Sequence, residues 1–505
     1  MTDLSDLAWT RSRHFRSAPI ATTTVDATRW IGLTSALAAG RVTLLSLWAE
    51  AGGAALMALL DAPAHRVAVV RIEAHGGGFP SVGAHHAAAQ RLERAMTDLY
   101  GLTPRGAIDT RPWLDHGRWG IAHPLGDAAA VPSDRPPYPF LPVQGESLHV
   151  VPVGPVHAGI IEPGHFRFTA QGETVVRLEE RLGYVHKGID GLMAGAELAR
   201  GAEIAGRISG DSTVAYAWAF AQAAEAALSL TVPERAFGLR GLMAELERLA
   251  NHLGDIGGIC NDAAFAMMLA QTSILRETVL RAAKTAFGHR FMRDRIVPGG
   301  VSGDLDAQGE AAIRSLIQEI RDRFPAIVDL YDATASILDR TVSTGRVSAD
   351  LVQAFGAGGY VGRASGRNFD TRRDLRYAPY DMLRLDVPVR VEGDVNARIW
   401  LRIREVEQCC SLITQMLNAL SQGPVFADPG FPGAPREGLG LVEGFRGDVL
   451  CWLALDAEGR IRRCHMRDPS WFQWPLLEAA IEGNIIADFP LCNKSFNCSY
   501  SGHDL

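Results

Sequence analysis

Several things are scarce in this 505-residue chain, and each absence excludes something. There are seven cysteines, an odd number, and no Cys-x-x-Cys pair. A disulfide framework is not expected in so long a chain without an export signal. An iron–sulfur cluster needs about four grouped thiolates, and Cys492 and Cys498 have no suitable company. Free, mostly buried cysteines are therefore expected. No apolar run reaches the roughly 20 residues of a membrane helix. The nearest, Val214 to Leu230, is interrupted by Gln222 and Glu225 and reads as a buried helix. The first residues have neither a basic start nor an apolar core segment, so no signal peptide is expected. A basic surface is also missing. The net charge is −7, which argues against nucleic acid as a partner.

What is present is an ordinary globular composition, 47% hydrophobic and 21% charged, in a chain long enough for several domains. Residues 1–130 read as a separate α/β unit. Its strands are expected at Arg41–Trp48 and Arg66–Ile72, and a helix over Val82–Leu99 stops at Gly101. Five prolines between Val131 and Pro142 then favour extended backbone, placing a linker at 131–147. From residue 148 to 505 the pattern is mainly helical with small antiparallel sheets, giving an α+β chain. Strands are expected at His149–Val153, His165–Thr169 and Thr174–Leu178, with a hairpin turn at Gly172. Helices are expected over Gly210–Leu230, Leu239–Ile256, Ala311–Phe324 and Arg398–Leu420, and strands return within Leu441–Arg463.

The Leu239–Ile256 helix carries a second stripe. Glu245, Arg248, His252 and Asp255 fall within about 80° on its surface at 100° per residue. Taken alone this reads as a solvated face with surface ion pairs. Buried among helices, the same line would point to function. His157, His165 and His186 mark the first strand region; they suit proton transfer near neutral pH but lack metal-motif spacing. The glycines of Gly356–Gly362 lack the strand–turn–helix frame of a nucleotide loop. Gly362–Gly366 reads as a tight turn presenting Arg363, and the aromatic segment 488–505 as a docked tail.

Longer motifs carry a resemblance. Residues Glu93–Leu102, Arg111–Asp115 and His123–Leu125 resemble the 30-kDa subunit of complex I. Gly154–Gly159, Leu182–Ile189, Glu245–Asp255, Pro298–Val301 and Gly362–Gly366 resemble the complex I 49-kDa subunit and the large subunit of group 4 NiFe hydrogenases. The two parts are fused, as in formate hydrogenlyase large subunits. Active hydrogenases of this kind hold nickel and iron with an R-x-C-G-x-C pair and a C-terminal C-x-x-C pair. Here the first reads Arg207-Ile-Ser209-Gly-Asp211-Ser212 and the second Ser499-Tyr-Ser-Gly502, with Cys498 one residue off. Hydroxyls are poor substitutes for bridging thiolates, so no metal is expected on this chain, nor the C-terminal extension that is removed from many nickel-loaded hydrogenases.

The resemblance implies a complex I-like oxidoreductase subunit, NADH- or quinone-linked. It implies a 4Fe-4S cluster in a partner small subunit, antiporter-like membrane subunits as further partners, and a peripheral place on the inner face of the cell membrane. Quinone is one candidate acceptor. Its family site uses a loop histidine, here His157 or His165, and a helix tyrosine, where Ile204 aligns. His157, His165 and Asp211 are the candidates for moving protons and Arg207 for stabilising negative charge. Ser209, Ser212, Ser499 and Gly502 are expected to line the cavity left by the metals. The competing readings are a non-catalytic scaffold with a filled cavity, and an active nickel hydrogenase.

Overall fold

The computed structural model describes residues 4–11, 18–126, 137–158 and 160–505. Ala54–Asp61 is the middle strand of the first sheet. It pairs antiparallel with Thr43–Glu50 on one side and Arg66–Glu73 on the other. Thr10–Arg11 runs antiparallel and Thr22–Thr24 parallel against Arg66–Glu73. One face of this sheet packs Leu47, Met57 and Val70 against Trp30 and Leu33 of the helix Ala27–Ala38. The other face, with Trp48, Leu56 and Val69, meets Leu439, Leu441 and Trp452 of a distant sheet. Burial on both faces explains the unbroken apolar run of Ala54–Leu60, which has no alternation to announce it.

The helix expected from Val82 begins later, with a short turn at Ala87–Ala89 and then Gln90–Tyr100, and Gly101 caps it in the left-handed region. The delay has a local cause. Glu93 accepts the Val82 N–H at 2.6 Å and the Ser81 hydroxyl at 2.8 Å, holding that segment outside the helix. Of the proline-rich linker, residues 131–136 lie outside the described residues, and 137–147 carry no helix or strand. The expected hairpin is present: His165–Gln171 pairs with both Leu148–Val153 and Thr174–Arg181.

The remainder is built on long helices, Thr213–Leu228, Glu234–Asp262, Ala266–Phe287, Ala307–Asp332 and Val395–Ala419. A second sheet, Arg436–Gly444, Gly447–Leu455 and Ile461–Arg467, lies against the Ala-rich helix Thr213–Leu228. A Cβ at Gly438 or Gly440 would collide with the carbonyls of Ala223 and Ala219. Glycine on the strand and alanine on the helix therefore permit this close approach. All seven cysteines are free and buried. Among the described residues no helix is long and apolar enough to cross a membrane.

Candidate functional site

Two turns from distant parts of the chain meet in the interior. The first, Ser209–Ser212, joins the helices Leu198–Ala205 and Thr213–Leu228, and Ser212 is the cap residue of the latter. The second begins at Ser499, whose Oγ caps the short helix Tyr500–Asp504 by accepting the Gly502 N–H at 2.9 Å. Ser209 Oγ and Ser499 Oγ lie 2.9 Å apart, and both residues are 4% exposed. Ser209 and Ser212 donate to Asp211 Oδ1 at 2.9 and 3.1 Å. Gly502 faces the same group: a Cβ there would lie 2.6 Å from Tyr216 Oη and from Asp468 Oδ2, and 2.8 Å from Ser499 Oγ. The sequence pairs thus converge on one cluster, and it is filled.

The filling is done by a residue with no sequence motif. Arg446, in the tight turn between Gly444 and Gly447, forks onto Asp211 at 2.8 and 2.6 Å and reaches Ser212 Oγ at 3.2 Å. Its Nε donates to the Asn497 carbonyl. Burial pushes the Asp211 carboxyl up, but the Arg446 guanidinium and the two serine hydroxyls outweigh it and hold it at about 2. Beside them, Tyr216 donates to Asp468 at 2.6 Å, and Trp474 donates to the Ser499 carbonyl at 3.2 Å. Burial pushes the neighbouring Cys498 thiol well up, keeping it protonated.

A nickel–iron centre does not fit this donor set. Three of its four positions offer neutral hydroxyls and the fourth a glycine, while a fixed guanidinium already neutralises the carboxylate. Gly502→Ala is expected to overpack the cluster and cost about 1–3 kcal/mol, read as a lower melting temperature. An unchanged melt would show that the space around Gly502 is larger than these distances imply.

The other expected site residues are dispersed around the cluster. His157 Nε2 lies 3.5 Å from Tyr500 Oη, so a histidine–tyrosine pair exists, with the tyrosine supplied by the C-terminal segment. Ile204 is buried on its helix. Glu162, in the same loop as His157, accepts the Ser501 N–H at 3.0 Å. His165 stands apart, 3.4 Å from the Gly154 carbonyl and against the Phe140 ring. Burial lowers the pKa of both histidines. His186 contacts the Asp504 carbonyl at 2.7 Å and stacks on Trp119. Arg207 points away from the cluster and forks onto Asp294 at 2.6 and 2.8 Å at the surface. The guanidinium beside Asp211 is that of Arg446, not Arg207.

The stripe Glu245, Arg248, His252 and Asp255 is not a solvated face: none of the four is more than 4% exposed. It is the spine of a buried ionic network. Glu245 meets Arg372 at 3.1 Å and Tyr380 at 2.6 Å. Arg372 pairs with Asp370, Asp370 with Arg363, and Arg363 with Glu405. Glu405 accepts from His252 at 2.7 Å. Burial and the flanking Arg248 and Arg402 keep His252 neutral. Arg363 is thus fully buried on the helix Gly359–Ala364, not presented on a turn, because three acids surround it. Asp255 takes Arg402 at 3.1 Å and Asn497 Nδ2 at 2.8 Å. Since the Asn497 carbonyl also receives Arg446, the network and the serine cluster are joined through one asparagine.

Residues 24–134 match the family of the respiratory-chain NADH dehydrogenase 30 Kd subunit, and residues 262–431 that of the 49 Kd subunit. The chain is 32% identical over 449 residues to formate hydrogenlyase subunit 5 of Escherichia coli, covering 86% of this chain and 78% of that one. It belongs to the family of fused complex I-type and group 4 hydrogenase large subunits. The carbon monoxide-induced hydrogenase of Rhodospirillum rubrum is 30% identical, covering 70% of this chain and 98% of its own. An NADH-quinone oxidoreductase subunit of Koribacter versatilis is 27% identical, covering 70% of this chain and 94% of its own. A chain of the membrane-bound sulfane sulfur reductase, an archaeal respiratory membrane complex, shares the fold with a TM-score of 0.68 at 23% identity, covering 72% of this chain and all of that one. The mixed fold and the order of the two units are those of this oxidoreductase family.

Proposed function

We propose that this chain is the nickel-free large subunit of a membrane-associated, complex I-like oxidoreductase that couples electron transfer to ion translocation. One observation carries the reading: the four converged positions hold oxygen donors and a glycine, closed around an Arg446–Asp211 pair. In this reading a partner small subunit supplies a 4Fe-4S cluster, antiporter-like subunits move the ion, and the chain sits peripherally on the inner face of the membrane. Quinone is the acceptor favoured by the His157–Tyr500 pair. Asp211 stays ionised in this reading and, with Arg446, sets the charge of the cluster against which electron arrival acts, while His157 moves protons.

The closed cluster also favours a second reading. A network this well satisfied can act as a rigid coupling element that transmits conformational change without chemistry of its own. One experiment separates the readings. The intact complex is purified, its nickel and iron are measured, and hydrogen and quinone turnover are assayed together. The proposal expects iron without nickel, no hydrogen turnover and coupled quinone turnover that falls in Asp211→Asn. Stoichiometric nickel overturns it, and unchanged coupled activity in Asp211→Asn leaves the scaffold.

A further inference from the structure

A cavity of about 260 Å³ opens beside the serine cluster, between the helices Glu234–Asp262 and Ala266–Phe287 and the segment 290–293. Gly210 and Asp211 of the Ser209–Ser212 turn form part of its lining. Leu246, Val279, Leu280, Phe291 and Met292 make its walls mostly apolar. Arg276 and Arg293 also line it, with Asn251 and Glu247 beside them.

The charges around the cavity do not balance. Asp211 is neutralised by Arg446, and Arg290 by a fork onto Glu277 at 2.9 and 2.7 Å. Arg276 and Arg293 make no side-chain hydrogen bond or ion pair among the described residues, and Arg293 Nε is buried without a partner. Glu247 does not answer them. Its carboxylate accepts the Val214 and Ala215 N–H groups at 2.7 and 3.1 Å, and burial pushes it up to about 8. The buried, unpartnered Arg293 Nε and a second cation, Arg276, on the same mostly apolar wall favour an anion there. The guanidinium fork matches a carboxylate, and the apolar walls call for an apolar body. At about 30 Å³ per water-sized group, the space takes roughly nine non-hydrogen atoms.

We infer that this cavity is a binding site for a small organic carboxylate, its head held by Arg276 and Arg293 and its body against Val279, Leu280 and Met292. The inference is independent of whether the chain holds nickel, because its readout is binding. Asp211, which lines both, ties occupancy of the pocket to the serine cluster.

The test titrates benzoate, its neutral isostere benzamide and inorganic phosphate into the purified complex by calorimetry. Benzoate is expected to saturate one site per chain. Benzamide and Arg276→Met are each expected to weaken binding about tenfold or more, the loss of a charge-assisted hydrogen bond. Arg293→Met should do the same, with Arg293→Lys recovering part of the affinity. Both arginines are partly exposed, and a melt of each variant confirms folding; should Arg293→Met fail to fold, Arg276→Met decides. Absence of saturable benzoate binding overturns the inference. So does benzamide binding as well as benzoate, phosphate binding more tightly than benzoate, or binding unaltered by Arg276→Met.

Discussion

Arg446→Met is expected to cost about 2–3 kcal/mol, because it removes a buried guanidinium and leaves the partly exposed Asp211 carboxylate without its main partner. The guanidinium is 4% exposed and makes contacts to Asp211, Ser212 and Asn497 that methionine cannot replace. The measurement is chemical or thermal unfolding of the purified chain in its complex. A change smaller than about 0.5 kcal/mol, the usual range for a surface substitution, would show that Asp211 is satisfied by other means. Arg446→Met combined with Asp211→Asn should recover part of the loss, since the orphaned charge goes with its partner.

The same pair sets a pH dependence. The folded-state pKa of Asp211 lies at about 2, below its ordinary 3.8. A depressed carboxyl stabilises the fold above the ordinary value, and that stability is lost as pH falls through the folded value. The Asp211 side chain is 37% exposed, so solvent screening leaves about 1 kcal/mol to be lost between roughly pH 4 and pH 2. In Arg446→Met burial acts on the carboxyl without its main opponent. This acid loss should disappear and stability should instead decline as pH rises above 4.

Glu405→Gln is expected to be more costly, about 3–5 kcal/mol, because every partner of this carboxylate is buried. Its carboxylate is 2% exposed and takes Arg363, Arg248 at 3.4 Å and the His252 imidazole at 2.7 Å. The amide keeps the shape but cannot balance two buried guanidiniums. Glu443, which burial and the adjacent Asp370 push up to about 7, should then take over part of the charge. Its titration is therefore expected to move downward in Glu405→Gln, followed by the infrared band of its protonated carboxyl. A variant as stable as the parent, with that band unmoved, would show that the network is not coupled as its distances imply.

Much of the fold is legible in the sequence because the elements carry their own period. The apolar stripe of Leu239–Ile256 announces the helix Glu234–Asp262, and Gly172 announces its hairpin. Ala54–Asp61 gives no alternation because both of its faces are buried. The helix Ala266–Phe287 is not among the expected elements, although it forms one wall of the carboxylate pocket. The serine cluster is legible through the two short motifs that place Ser209, Ser212, Ser499 and Gly502. Arg446 and Tyr500 are not: each lies in a turn or short helix without periodicity, and each gains its role from a residue hundreds of positions away. The stripe of Glu245 and His252 is visible in the spacing, but its burial is not. Helical spacing shows which residues share a face, but not that Arg363, Arg372 and Glu405 will cover it.

The contact between the first sheet and the second has a consequence for assembly. Trp48 stacks on His465 with ring centroids 4.9 Å apart, and Ser46 Oγ lies 2.7 Å from the His465 ring. Arg467 Nε reaches the Leu45 carbonyl at 2.7 Å. The R. rubrum relative spans 98% of its length while matching 70% of this chain. Where the two portions are separate polypeptides, this apolar seam has to be found by diffusion, at a rate set by how much of each is made. Here one backbone carries both, so the encounter is intramolecular, at the effective concentration of a tether. Stoichiometry is then fixed at synthesis, and neither apolar face waits in solvent for a partner whose supply varies.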